Sequence, residues 1–265
     1  MSVKITMLGC GNSSGVPAVG NYWGACDPKE PKNQRTRCCL AVQSDTTTII
    51  IDTGADFRHQ MNNFDINTLD AVFYTHQHSD HCHGIDDLRP FYFRHDRTQL
   101  KCYGKKSVLE EIEGRFHYLF SGGSHKDLYP PVLEAHPFDE KDYCAPQSFA
   151  GITYTPFKMD HGTCTSVGYR FGDLSYCVDM KSLDDKALDV IKGSKVWIVD
   201  GAGYHDADNS VHADLEILYE YNKYIKAESV YVTCLSTMMD YDVLSHELPD
   251  GFYPAYDGLQ FIGLP

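Results

Sequence analysis

Thr75-His76-Gln77-His78-Ser79-Asp80-His81 places three imidazoles and one carboxylate within six consecutive positions, 76–81. The stretch follows Ala71-Val72-Phe73-Tyr74, an apolar run that reads as a short buried strand. On extended backbone just past that strand, alternation turns His76 and His78 to the same side. Asp80 and His81 are adjacent, so they face different directions and suit a second, neighbouring metal. Imidazole and carboxylate are ligands for zinc, manganese and iron, and a water left at an open position ionises near neutral pH. Histidines scattered over a polar surface loop would not be this dense at a strand end.

Outward from the cluster, the same arrangement recurs. Residues 152–158 read as a strand leading into Met159-Asp160-His161-Gly162, which makes His161 a third ligand for the first metal. Residues 164–171 and 174–178 read as a hairpin ending at Asp179, a carboxylate placed to bridge two metals about 3.5–4 Å apart. Strands at 38–43 and 47–51 pair as another hairpin, and the second ends in Asp52. That residue either orients a ligand histidine or caps a turn. A strand at 196–199 runs into Asp200-Gly201. His212 precedes a helical pattern at 215–224, and a last strand at 229–233 ends at Cys234. Short helices are expected at 56–61, 183–191 and 241–246, with a strand at 100–103 and an amphipathic helix at 105–118. The segment 20–34 reads as a long irregular loop. Residues 121–147 read as an insertion or lid, in which His125 and His136 are surface residues rather than ligands. Glycine and proline mark a closing tail around Tyr256-Asp257-Gly258. Hairpins first, then strand–helix units, with every candidate ligand at a strand terminus, give two β-sheets flanked by helices in one domain spanning 1–265.

Composition narrows the function. The 42% apolar and 23% charged content is that of a globular protein. No stretch approaches the ~20 apolar residues of a membrane span, and Lys4-Ile5-Thr6-Met7-Leu8 is a strand pattern rather than an export signal. Cytoplasmic residence is expected, with no membrane partner. A net charge of −14 argues against general nucleic-acid binding. Ten cysteines occur without a CxxC pair, and Cys38-Cys39 suits neither a bridge nor a shared metal, so reduced thiols are expected.

The His76-x-His78-x-Asp80-His81 motif resembles the signature of the metallo-β-lactamase superfamily, over nearly the whole chain. Gly11-Asn12-Ser13-Ser14-Gly15-Val16-Pro17, Arg35-Thr36-Arg37, residues 52–58, residues 84–89 and Asp240-Tyr241 are similar to the branch containing phosphoribosyl cyclic phosphate phosphodiesterase. The resemblance implies an αββα sandwich of two mixed sheets with a dinuclear site. It assigns His76, His78, His161 and Asp179 to one metal ion, and Asp80, His81 and the shared Asp179 to the other, as zinc or manganese. His212 matches the branch's histidine that protonates the leaving group or contacts substrate, while Asp80 is counted with the catalytic groups. Two positions depart from the pattern. The last metal histidine falls at Cys234, whose thiolate suits zinc better than manganese. A structural zinc in that branch uses three loop cysteines and a later histidine. Here those positions are Asn21, Trp23, Cys26 and Thr237, so no structural zinc is expected.

The leading expectation is a phosphodiesterase acting on a small cyclic phosphate or nucleotide through a metal-bridging hydroxide. Arg35, Arg37, Arg58 and Arg89 are its candidate anion contacts. Alternatives on the same fold are a thioester or lactone hydrolase and an RNA-processing nuclease, the latter opposed by the lack of a basic face. A metal- or nucleotide-binding protein with a decayed second site is the non-enzymatic alternative. A homodimer is one option for assembly.

Overall fold

The computed structural model describes residues 3–123 and 128–264; His125 lies outside them. The first half of the chain contributes β1 (Val3–Gly9), β2 (Cys39–Gln43), β3 (Thr48–Ile51), β4 (Ala71–Phe73), β5 (Leu100–Lys105) and β6 (Leu133–Phe138). The second contributes β7 (Gln147–Phe149), β8 (Ile152–Asp160), β9 (Thr165–Phe171), β10 (Leu174–Cys177), β11 (Val196–Asp200), β12 (Ser229–Thr233) and β13 (Phe252–Pro254). A final strand, β14 (Gln260–Leu264), returns to pair with β1. Two seven-stranded sheets result, ordered β14-β1-β2-β3-β4-β5-β6 and β13-β12-β11-β10-β9-β8-β7. Each mixes antiparallel hairpins with parallel strands.

Alternation explains why the strands read as unbroken apolar runs. Leu40 and Val42 of β2, Ile49 and Ile51 of β3, and Ala71 and Phe73 of β4 enter the core between the sheets. Their neighbours Cys39, Ala41, Ile50 and Val72 enter a second core on the opposite face. A sheet covered on both faces favours apolar side chains at successive positions. The outer layer over the first sheet includes α1 (Phe57–Asn63), α2 (Ser79–Cys82), α3 (Arg89–Arg94), α4 (Lys106–Arg115) and α5 (His117–Ser121). The second sheet is covered by α6 (Asp185–Ile191), α7 (Leu215–Ile225) and α8 (Tyr241–Glu247). Asp184, Asp214 and Asp240 each accept the backbone N–H three residues on, which places these three helix starts. The expected αββα sandwich is therefore present. No helix among the described residues is long and apolar enough to cross a membrane. All ten cysteines are free thiols, eight of them buried.

Two expectations are corrected. The segment 121–147, expected as an insertion or lid, contributes sheet strands: β6 pairs in parallel along β5 from Leu100↔Leu133 to Lys105↔Phe138, and β7 opens the second sheet, with residues 124–127 outside the described residues. Pro137 obscures this strand in the sequence, yet a sheet edge tolerates proline. His136 stacks on Tyr103 with ring centroids 5.1 Å apart. The closing tail holds strand β14, and Asp257 within it is anchoring rather than loose. Its carboxylate accepts hydrogen bonds from Cys10 N, Thr36 N and Thr36 Oγ1 at 3.0, 2.7 and 2.7 Å.

Candidate metal centre

Strand ends deliver nearly every group of the site. Asp52 follows β3; Thr75, His76 and His78 follow β4; His161 follows β8; Asp179 follows β10; Asp200 ends β11; Cys234 follows β12. Asp52, Asp179 and Cys234 hold left-handed backbone, with φ of 66°, 51° and 58°. Such residues cost about 1–3 kcal/mol each and persist only where surrounding contacts impose them. Those contacts are present: Asp52 N–H donates to Phe73 O at 2.9 Å, and Ser166 Oγ donates to Asp179 O at 2.8 Å.

Asp80 and His81 ride on α2, which docks on the turn after β3. Thr53 N–H donates to His81 O and Gly84 N–H to Thr53 O, both at 2.8 Å. Gly54 makes this approach possible, since a Cβ there would stand 2.1 Å from Asp80 O. Gly54→Ala is expected to cost about 3 kcal/mol or more, because backbone must move rather than a side-chain tip. It should also lower metal content by displacing Asp80 and His81. A melting curve read beside metal analysis checks both effects; a native-like melt with full metal content would refute the docking account.

Each buried imidazole is held by Nδ1 and turned inward by Nε2. His81 Nδ1 donates to Asp52 Oδ2 at 2.6 Å and His161 Nδ1 to Val211 O at 2.8 Å. Thr75 Oγ1 donates to Asp52 Oδ2 at 2.7 Å, which leaves its lone pair for His76 Nδ1–H at 3.0 Å. With Nδ1 carrying the proton, Nε2 presents a lone pair. His76 Nε2 and His81 Nε2 lie 3.2 Å from Asp179 Oδ2, and His161 Nε2 lies 3.6 Å away. His76 Nε2 is buried and makes no hydrogen bond in this arrangement. Lone pairs and carboxylate oxygens converging on one point repel unless a proton or a metal cation sits among them.

The charge balance is that of ligands that also compete for protons, so a metal ion binding here would displace one from His81. Burial opposes a charge on Asp179, yet His81 and His76 hold its carboxyl well below the usual range. Burial likewise opposes a charge on His81, but Asp179 and Asp52 raise it well above the ordinary imidazole value. Burial lowers His78 and His161, leaving them neutral and fit to ligate. Ligand atoms of His76, His78, His161 and Asp179 lie within 4.8 Å of one another, as do those of Asp80, His81 and Asp179. The donor set fits one or two divalent ions; it brings together six of the seven residues expected from sequence, and Asp179, Asp200 and His212 form a third such group. Cys234 falls outside these groups: its Sγ donates to Asp179 Oδ1 and contacts Cys38 Sγ, each at 3.5 Å.

His212 stands beside this cluster, its ring centroid 5.2 Å from that of His161. Burial would lower its pKa, but Asp200, bonded to Nδ1 at 2.6 Å, outweighs that and raises it to about 9. Asp200 was not singled out from sequence, although Val199-Asp200-Gly201 repeats the pattern of Ile51-Asp52 and Val178-Asp179, an apolar run ending in aspartate. The cluster opens into a cavity of about 160 Å³, lined also by Asn12, Ser13 and Val211. A larger cavity of about 290 Å³ between α1 and α3 contains none of the cluster.

The four arginines do not converge on the metal cavity. Arg35 is a correction: it is 2% exposed and spends its guanidinium on Lys32 O, Met239 O, Ser236 O and Asn33 Oδ1, so it braces the fold. Arg37 pairs with Asp56 at 2.9 Å and donates to Ser13 O at 2.8 Å. Arg58 lines the larger cavity, and the Arg89 guanidinium lies 5.5 Å from the Tyr129 ring centroid. Cys26 Sγ donates to Thr237 O at 3.5 Å.

The comparisons agree with this geometry. A family model described as beta-lactamase superfamily domain matches residues 47–233. An octanoyltransferase of Porphyromonas gingivalis is 30% identical over 98% of this chain and 51% of that protein, so the chain spans about half the length of that curated relative. A diphosphatase from the PhnP family superposes with a TM-score of 0.86 at 28% identity, over 99% of this chain and 97% of that one. Zinc-bound PqqB from Methylobacterium extorquens shares the fold, with a TM-score of 0.74 at 15% identity over 97% of this chain and 99% of that one.

Proposed function

The chain belongs to the beta-lactamase superfamily, and from that premise we propose a metal-dependent phosphodiesterase that cleaves a small cyclic phosphate or nucleotide phosphodiester. The observation that carries this reading is the Asp200–His212 pair at the rim of the metal cluster. Two divalent ions in the two ligand groups would supply Lewis acidity, polarising a phosphoryl oxygen and making water acidic enough to ionise near neutral pH. Asp179 aligns the two groups through Oδ2. Asp52 and Val211 O fix the rings of His81 and His161. Asp80 stands where it can orient an attacking water. His212 keeps its proton at neutral pH and holds it on Nε2, ready for a departing alkoxide oxygen. Likeness to a diphosphatase at 28% identity supports phosphoryl chemistry. Free thiols throughout support action in the cytoplasm.

The second reading is thioester or lactone hydrolysis. It is favoured by the absence of the four arginines from the cavity lining, which a neutral substrate would not require. Chelator-stripped protein reloaded with manganese or zinc separates the two. Turnover of bis(p-nitrophenyl) phosphate that depends on added metal is expected. Hydrolysis of a thioester or lactone panel without diester turnover would transfer the assignment to the second reading.

A further inference from the structure

We infer that the turn Asn12-Ser13 binds the phosphoryl oxygens of the substrate, in the role that the sequence assigned to arginines. The inference rests on the phosphodiesterase reading. It explains how a cavity lined by no arginine or lysine holds a phosphodiester next to a cluster rich in carboxylates.

The turn is held from both sheets. Gly11 bridges Arg37 on one side and Leu235 on the other, and Asn12 N–H donates to Leu235 O at 3.1 Å. Leu235 follows Cys234, so the turn is bonded to a segment that itself lines the cavity. A Cβ on Gly11 would stand 2.9 Å from Thr36 O, so only glycine lets the turn lie this close. Arg37 clamps the other end through Nε to Ser13 O, its guanidinium braced by Asp56. Such a turn is ordered before substrate arrives, which is what an anion site needs to act without reorganising.

The donors follow from the turn's own bonding. Asn12 Oδ1 accepts from Ser14 N at 3.2 Å and Ser14 Oγ at 2.9 Å. The acceptor face of the amide is thereby used inside the turn, and the Nδ2–H donors have no partner among the described residues. Ser13 Oγ has no partner among the described residues, although Ser13 lines the cavity. An amide and a hydroxyl can donate to a phosphoryl oxygen without adding charge. A substrate with one phosphoryl group and an uncharged body fits these donors better than one carrying a second phosphate.

Asn12→Asp separates ligand binding from turn architecture. Aspartate keeps the oxygen that caps Ser14 but replaces the amide donor with a second carboxylate oxygen. For metal-loaded protein, the expected result is a rise in KM for bis(p-nitrophenyl) phosphate on the order of 10–100-fold, the size of a lost hydrogen bond to a charged group. Inhibition by inorganic phosphate should weaken equally, while the melting temperature and metal content stay at wild-type values. Ser13→Ala should raise KM less, in the same direction. An Asn12→Asp enzyme with unchanged KM and unchanged phosphate inhibition would overturn the inference and leave Asn12 as a turn residue. Calorimetry of inorganic phosphate with the same proteins keeps the two proposals apart. If wild type turns over no diester yet binds phosphate, and Asn12→Asp does not, the anion site stands and the phosphodiesterase reading falls. If phosphate binds both proteins equally, the anion site falls whatever the activity.

Discussion

Asp179→Ala is expected to abolish turnover and to empty the metal centre, with the ion on the Asp80–His81 side lost first. Asp179 Oδ2 is the point on which three imidazole nitrogens converge, and it belongs to both ligand groups. His76, His78 and His161 would still offer three nitrogens to one ion. Asp80 and His81 would offer two ligands to the other, too few for tight binding at a site meant for four or more. Removing a residue that merely supports a ligand costs 10–100-fold in metal affinity or activity, so removing a shared ligand should cost more than about 10³-fold in turnover. Metal analysis after dialysis should fall from near two ions per chain in the reloaded wild type to one or fewer. Circular dichroism guards against misfolding, since the alanine must still adopt the left-handed φ of 51° imposed by its neighbours. An Asp179→Ala protein that retains two ions and measurable diester turnover would refute the dinuclear centre.

The clustered candidate ligands were legible because the fold places them where sequence patterns are strongest. A histidine or aspartate just after a strand-like run marks a strand terminus, and His76, His161 and Asp179 lie just past the ends of β4, β8 and β10. The residues that hold the ligands were less legible. Asp52 could be read as a cap or as a histidine anchor, and only the 2.6 Å contact to His81 Nδ1 decides between them. Asp200 carries the same pattern but lies 12 residues from the histidine it anchors, a separation that local periodicity does not report. The arginines misled for a different reason. A guanidinium near a motif in sequence says nothing about which carbonyls it will meet, and Arg35 meets Met239 O and Ser236 O, about 200 residues away. The four missed strands, β6, β7, β13 and β14, are the edges of the two sheets. With fewer faces buried, the sequence there is less constrained to be apolar.

His212→Ala should divide substrates by their leaving groups. On a diester that expels an alkoxide, loss of the proton donor is expected to lower kcat by about 10²–10⁴-fold. A p-nitrophenolate departs without a proton, so bis(p-nitrophenyl) phosphate should lose no more than about 10-fold. The acid also sets a pH limit whose direction follows from its partner. Asp200 raises His212 to about 9, so the protonated form persists through neutral pH and alkoxide-leaving activity falls as pH rises through about 9. Asp200→Asn removes the carboxylate that raises the imidazole. That limb should then move down toward the ordinary histidine value near 6.5, with the p-nitrophenyl substrate showing little change. The pairing of the two substrates is what makes the test specific. A residue that only shaped the cavity, or only helped retain metal, would reduce both reactions alike and leave the high-pH limb where it was. Equal losses on both substrates would therefore remove His212 from the proton-transfer role and leave it as a neighbour of the metal cluster.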